Sequence, residues 1–168
     1  MPLLKNDALV EDAWVRVADD EALPAAGQIV VSLKRWRLDR ERLILRDGLV
    51  GVRLTAEQTP GELGEDLEFL GLVEMEFPAF TDGRPYSNAR RLRERYGFGG
   101  ELRAVGDVLR DQYPLMRRCG FDAFEVAAGE RVDNWTRAAA AITTPMQPAA
   151  DAAPPAISLR ERRLKQAG

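Results

Sequence analysis

Residues 72–124 read LVEMEFPAFTDGRPYSNARRLRERYGFGGELRAVGDVLRDQYPLMRRCGFDAF, and this stretch decides the predicted fold. Apolar runs at 72–77, 102–105 and 123–126 alternate with amphipathic patterns that end at glycine, the residue that most readily adopts the backbone angles of a helix C-terminus. Strands that alternate with helices pair in parallel, because each helix returns the chain to the edge where the next strand begins. The stretch therefore predicts consecutive parallel strand–helix units.

The same alternation continues outside this stretch, with two further strands and three further helices. The expected elements are strands at 28–33 and 49–54, and helices at about 39–46, 60–70 and 132–141. About five units over residues 28–142 predict an α/β fold. They fit either an incomplete (β/α) barrel or an open twisted sheet, and we favour the incomplete barrel.

The N-terminal residues predict a β-hairpin that precedes these units. Residues 3–4 and 13–17 flank a turn-like Asn6-Asp7 pair, so we expect the hairpin within residues 1–18. The edge of a parallel sheet invites pairing with other chains unless something covers it. We expect this hairpin, or the second subunit of a homodimer, to cover that edge.

A change in composition marks the end of the predicted domain. Residues 1–142 are expected to form a single domain, and the Pro- and Ala-rich residues 143–168, with their basic end, are expected to be a flexible tail. Apolar residues make up 45% of the 168 residues and charged residues 30%, as in ordinary soluble proteins. No apolar run approaches the roughly 20 residues of a membrane helix, and no signal peptide is evident, so a cytoplasmic location is expected.

The charge and the rarer residue types restrict the function. The formal charge of −3 disfavours general nucleic-acid binding, which needs a basic surface. The chain has no histidine and one cysteine, Cys119. A structural zinc site, a four-thiolate iron–sulfur cluster, a histidine-ligated haem and a Ser-His-Asp unit are therefore not expected. If the protein moves electrons, they travel on a bound organic cofactor or on a partner. The identity of any cofactor stays open, because no dinucleotide or P-loop fingerprint is present.

Polar side chains gather where the predicted strands end. Backbone N–H groups at a helix N-terminus, together with guanidinium groups, favour an oxyanion. The carboxyl ends of parallel strands share one edge of the sheet, which is where such folds bind ligands. The residues that we predict to bind a small anion there are Lys34, Arg35, Thr81, Arg84, Tyr86, Ser87 and Arg90. The alternative is a structural role, in which Asp82 and Ser87 only cap the turn and the helix that follows it.

Two carboxylates follow neighbouring strands at this edge and are the candidate catalytic residues. Asp82 and Asp107 could share a proton or hold Mg²⁺ if they lie close together. Alternatively, Asp107 is the N-cap of a helix that begins at Val108. Two carboxylates are few for a cation site made only of protein ligands, so no metal site is assigned.

Three motifs carry a resemblance to a known family. They are FTDGRPYSNARRLRERYGF at 80–98, GELRAVGDVLRDQ at 100–112 and RRCGFDAF at 117–124. Through these motifs the chain resembles an uncharacterised bacterial family, domain of unknown function 934. The resemblance covers roughly residues 30–126. Its members commonly carry the label of an oxidoreductase involved in sulfite reduction.

The resemblance implies an accessory protein of assimilatory sulfite reduction, with oxidoreductase activity as one version of that role. Two alternatives stay open. One is a non-catalytic partner that docks on sulfite reductase or on its electron donor. The other is a Mg²⁺-assisted enzyme that acts on a sulfate or phosphate ester. The residues themselves add an anion-binding site at the strand ends and leave open whether the protein is an enzyme.

Overall fold

A computed structural model describes residues 2–140, 147–151, 155, 156, 158 and 163. The strands are β1 (Leu3–Lys5), β2 (Ala8–Val10), β3 (Trp14–Arg16), β4 (Gln28–Ser32), β5 (Val50–Leu54), β6 (Leu70–Phe77), β7 (Glu101–Gly106) and β8 (Ala123–Glu125). The α-helices in these residues are α1 (Leu33–Leu45), α2 (Arg84–Glu94), α3 (Tyr113–Arg118) and α4 (Val132–Ala140). The 3₁₀ segments are Pro60–Glu62, Gly64–Phe69 and Arg110–Gln112.

The strands form one eight-stranded sheet in the order β2-β1-β8-β7-β6-β5-β4-β3. Every neighbouring pair from β3 to β8 is parallel, whereas β1 is antiparallel to both β8 and β2. Crossover helices between parallel strands explain this arrangement. The prediction of a mixed α/β fold is confirmed.

The sheet is strongly curled. Strands β3 and β8 have four strands between them, which in a flat sheet would place them about 24 Å apart. Yet Nη1 of Arg16 on β3 lies 2.9 Å from Oε1 of Glu125 on β8. The sheet is therefore a half-barrel, as favoured from the sequence, with a concave inner face and a convex outer face.

The hydrophobic core lies on the outer face, under the helices. Val73 and Met75 of β6 are almost completely buried there, and the same core contains Trp36 of α1 and Leu92 of α2. Side chains alternate between the two faces of a strand. Glu74, which lies between Val73 and Met75, therefore points to the concave face.

The partner of the first strand differs from the prediction. Asn6 and Asp7 both have positive φ (51° and 58°), as a two-residue hairpin turn requires. The strand that returns from this turn is Ala8–Val10, so the predicted pairing with residues 13–17 is wrong. Trp14–Arg16 instead pairs in parallel with β4 at the opposite end of the sheet. Strand β1 covers the outer edge of β8.

Two predicted helices also differ. Helix α1 begins at Leu33, because the Ser32 side chain caps it by accepting from the Arg35 N–H, and its backbone kinks at Asp39, where we expected the helix to begin. The expected helix at 60–70 consists of 3₁₀ turns, and Gly64, the first residue of the second turn, has a φ of 54° that interrupts α-helical geometry.

Within the described residues, no helix has the length and apolarity needed to cross a bilayer. Most of the tail predicted for residues 143–168 lies outside the described residues. Of the part that is described, the Ala150 N–H donates to the Arg118 carbonyl (3.0 Å), and Arg118 also contacts Asp151.

Candidate functional site

The loop between β6 and α2 contains a tight ion pair. Arg84 donates from Nη2 to Asp82 Oδ2 at 2.6 Å, and its backbone N–H donates to Asp82 Oδ1 at 3.0 Å. These bonds hold the pKa of Asp82 below its usual range. Glu57 lies 3.5 Å from the same guanidinium, and Arg90 pairs with Glu94 at 2.8 Å. Arg84 and Arg90, two of the three arginines that we predicted to bind an anion, thus already have carboxylate partners.

Asp107 fixes the conformation of this loop. Its Oδ2 accepts from the Phe80 N–H at 2.9 Å, and Gln112 Nε2 donates to the Phe80 carbonyl at 2.7 Å. No helix begins at Val108, so the predicted N-cap role of Asp107 is wrong. Within the described part of the chain, no hydrogen bond joins Asp82 to Asp107, and no group of three or more Cys, Asp or Glu side chains is arranged to hold a metal.

Lys34 and Arg35, at the start of α1, are placed differently from each other. Lys34 is exposed and lies 3.5 Å from Asp19. Arg35 is buried and donates to Asp39 and to the backbone carbonyls of residues 18–19. Arg35 therefore anchors the segment after β3.

The remaining residues of the predicted anion site are divided between the surface and the core. Thr81 and Ser87 are exposed. Tyr86 packs edge-on against Phe77, with ring centroids 5.3 Å apart, and burial raises its pKa to about 12. The anion-binding role of these residues stays a prediction, as does the catalytic role of the two aspartates.

The concave face holds a charge cluster that the sequence analysis missed. Glu74, with no solvent exposure, is surrounded by three guanidinium groups. Its carboxylate oxygens lie 3.0 Å from Arg16 Nη2, 3.1 Å from Arg53 Nε and 3.4 Å from Arg103 Nη1. Burying a charge is unfavourable unless it is paired, and the three guanidinium groups supply that pairing for the Glu74 carboxylate inside the half-barrel.

Two of the three arginines have further carboxylate partners. Arg16 also donates to Glu125, and its hydrogen bonds to Glu74 and Glu125 raise its pKa although burial alone would lower it. The two further carboxylates that Arg103 contacts are Asp12 and Glu101, each at 2.7 Å. Arg53 has Glu74 as its one ion-pair partner among the described residues.

Arg53 lines a cavity of about 330 Å³ on the concave face, near the carboxyl ends of β3, β4 and β5. Its side chain is 33% exposed, and the structure gives its two Nη atoms no hydrogen bond to the described residues. Ser32, Asp19 and Glu21 also line this cavity. A planar guanidinium with unused donors suits a carboxylate, sulfonate or similar oxyanion.

A larger cavity, of about 580 Å³, lies at the opposite ends of the strands, between residues 64–70 and 96–100. Its charged side chains are Glu65 and Glu68, and neither would attract an anion. The cavity beside Arg53 differs, because it is lined by the guanidinium groups of Arg16 and Arg53 together with the carboxylates of Asp19, Glu21 and Glu74.

The sequence does contain a signal for the charge cluster. In the register of the sheet, Arg53 of β5 and Arg103 of β7 lie directly beside Glu74 of β6. A charged residue at the same level of three adjacent, otherwise apolar strands indicates a paired polar layer. Taken alone, residues 72–77 resemble an apolar run. The charged layer is recognisable only when the register between β5, β6 and β7 is known.

Residues 51–157 match the model of a family described as bacterial protein of unknown function (DUF934). The matched range contains Arg53, Glu74 and Arg103 and begins after Arg16. No curated protein matches the chain.

Proposed function

We propose that this chain, which belongs to the DUF934 family, binds a small ligand by its anionic group in the cavity beside Arg53. In this proposal the protein is an accessory component of sulfite reduction. The observation that carries it is the Arg53 guanidinium, which lines a cavity with both Nη atoms unused by the described residues.

The position and environment of Arg53 support anion binding. Ligands of α/β folds bind at the carboxyl ends of the parallel strands, where this cavity lies. The ion pair between Arg53 Nε and Glu74 (3.1 Å) restrains the Arg53 side chain beside the cavity, so little side-chain entropy is lost on binding. A charge-assisted bond at a partly buried site is also less screened than one in bulk water.

The connection with sulfite reduction comes from the family resemblance. Sulfite and sulfate are small oxyanions of the size and charge that one guanidinium fork can bind. An oxidoreductase version of the role needs a bound organic redox cofactor, because the chain has no histidine and one cysteine. A flavin absorbance band in the purified protein would support that version. A colourless protein that co-purifies with sulfite reductase would support the docking role instead.

The test is a set of thermal melts with sulfite, sulfate or phosphate at constant ionic strength. A ligand at ten times its Kd stabilises by about 1.4 kcal/mol, which for a chain of this size raises Tm by about 3–6 °C. We expect Arg53→Met to abolish the shift and Arg37→Met, at an exposed ion pair with Glu62 outside the cavity, to retain it. Arg53→Lys, which keeps the charge but loses the fork, should bind more weakly than the wild type.

Circular dichroism checks that each variant is folded, and titration calorimetry measures binding directly. An unchanged affinity in folded Arg53→Met would contradict the proposal. The absence of binding by all three anions at millimolar concentration would contradict the connection with sulfite.

A further inference from the structure

We infer that the cavity beside Arg53 selects a zwitterion, a ligand whose anionic group contacts Arg53 while an amine contacts Asp19 and Glu21. The ligand class is a short amino acid or aminosulfonate. This inference rests on the proposed function, because it assumes that Arg53 binds the anionic group.

Asp19 supplies the first negative charge on the wall opposite Arg53. Ser32 Oγ donates to Asp19 Oδ1 at 2.6 Å, and Lys34 lies 3.5 Å from Oδ2. The Ser32 hydrogen bond, helped by Lys34, lowers the pKa of Asp19. Asp19 is therefore an anion at neutral pH, and a second anion brought close to it would be repelled.

Glu21 supplies a second carboxylate with unused acceptor capacity. Its Oε2 accepts from the Ala18 N–H at 3.0 Å, which fixes the side chain at the cavity. The structure gives its Oε1 no hydrogen bond to the described residues. An ammonium group carries three donors and no acceptor, so it complements this carboxylate.

The sheet sets the separation between the two charged walls. Asp19 and Glu21 follow β3, Arg53 is on β5, and β4 lies between these strands. Two strand spacings place the backbones of β3 and β5 about 10 Å apart. The buried Val30 of β4 lines the cavity between the two walls. The cavity is thus charged at both walls and apolar between them. A ligand whose amine and acid group are separated by a short alkyl chain fits this arrangement.

The same lining favours a zwitterion over a simple anion. An anion without an amine meets Arg53 but also faces two carboxylates, whereas a zwitterion gains at both walls. Specificity that combines attraction for one ligand with repulsion of its analogue is common in binding sites.

Titration calorimetry with matched ligands tests the inference. Taurine is compared with ethanesulfonate, and β-alanine with propanoate, so that each pair differs by the amine and the two pairs distinguish a sulfonate from a carboxylate. We expect the amine-bearing member of at least one pair to bind at least tenfold more tightly. Glu21→Gln should reduce that preference to about threefold or less and leave the affinity for the simple anion unchanged or higher.

Glu21→Gln is the preferred variant, since the amide oxygen still accepts from the Ala18 N–H and the fold is kept. Arg53→Met should lose all four ligands. Equal affinity within both pairs, or an unchanged preference in Glu21→Gln, would overturn the zwitterion inference while anion binding at Arg53 stood. If none of these ligands nor sulfite binds the wild type, the inference and the proposed function both fail.

Discussion

The two faces of strand β6 bury their side chains by different means. On the convex face Met75 is 2% exposed and packs in the apolar core beneath the helices. On the concave face its neighbour Glu74 is fully buried and lies among three guanidinium groups. One strand thus separates an apolar core from a charged interior.

The difference shows what specifies each side of the fold. Apolar burial is non-directional, so the convex face tolerates substitutions that keep volume and hydrophobicity. A buried charge is tolerated only with its own partners in place. We therefore expect substitutions on the concave face to be more disruptive and less additive than those on the convex face.

The largest effect is expected for Glu74→Gln. The substitution keeps the side-chain volume and leaves three arginines around a neutral group, so it should lower the free energy of unfolding by about 3–5 kcal/mol. Urea denaturation measures this loss. Glu76→Gln is the matched control, because Glu76 is on the same strand and face, is partly exposed, and has no ion pair among the described residues. A loss below about 1 kcal/mol in Glu74→Gln would mean that the concave cluster contributes little to stability.

Met75→Ala should have the next largest effect. Truncation of a buried methionine removes apolar contacts and leaves a cavity, at a cost of about 3 kcal/mol. The same urea titrations provide the measurement, and Met75→Leu, which nearly conserves volume, should lose less than about 1.5 kcal/mol. If Met75→Ala proves more damaging than Glu74→Gln, the proposed ranking of the two faces is reversed.

A smaller loss of stability is expected for substitution of Asp66, a charged residue at the protein surface. Asp66 accepts from Arg40 Nη2 at 2.6 Å and from Trp36 Nε1 at 2.8 Å, joining a 3₁₀ segment to α1. The Arg40 bond, followed by the Trp36 bond, lowers the pKa of Asp66 although burial opposes the shift. Asp66→Asn should therefore destabilise the protein by about 1 kcal/mol at pH 7.

The sign of the pH dependence follows from the lowered pKa. Ionised Asp66 stabilises the fold fully above its unfolded pKa of about 4, and this stabilisation is lost as pH falls through the folded pKa. The difference between the wild type and Asp66→Asn should shrink toward about pH 2 in melts recorded across the acid range. A difference that grows on acidification would show that the Arg40 and Trp36 contacts do not lower the pKa of Asp66.

Local sequence patterns predicted where the strands and turns lie better than they predicted which strands pair with each other. The Asn6-Asp7 turn was recognisable because these residues tolerate positive φ, yet its returning strand was wrong because three-residue strands carry little pattern of their own. The curl of the sheet involves Arg16 and Glu125, which are 109 residues apart, and no local pattern reports such a pair.

The same limit applies to the candidate site. Asp82 and Arg84 stood out by chemistry, and the structure shows that they are partners of each other. Arg53 was overlooked in an apolar strand, because its significance lies in what it faces across the sheet. Sequence composition identifies charged side chains, whereas the fold determines which of them already have partners.

The pairing of β1 with β8 has a consequence for how the protein is made. Leu3–Lys5 is synthesised before its sheet partner, Ala123–Glu125, which follows about 120 residues later. At translation rates of 5–20 residues per second, the first strand waits roughly 6–24 s for that partner. The edge of β8 to which the N-terminal hairpin adds does not exist until β3 to β7 have already been synthesised, so the hairpin joins the sheet late.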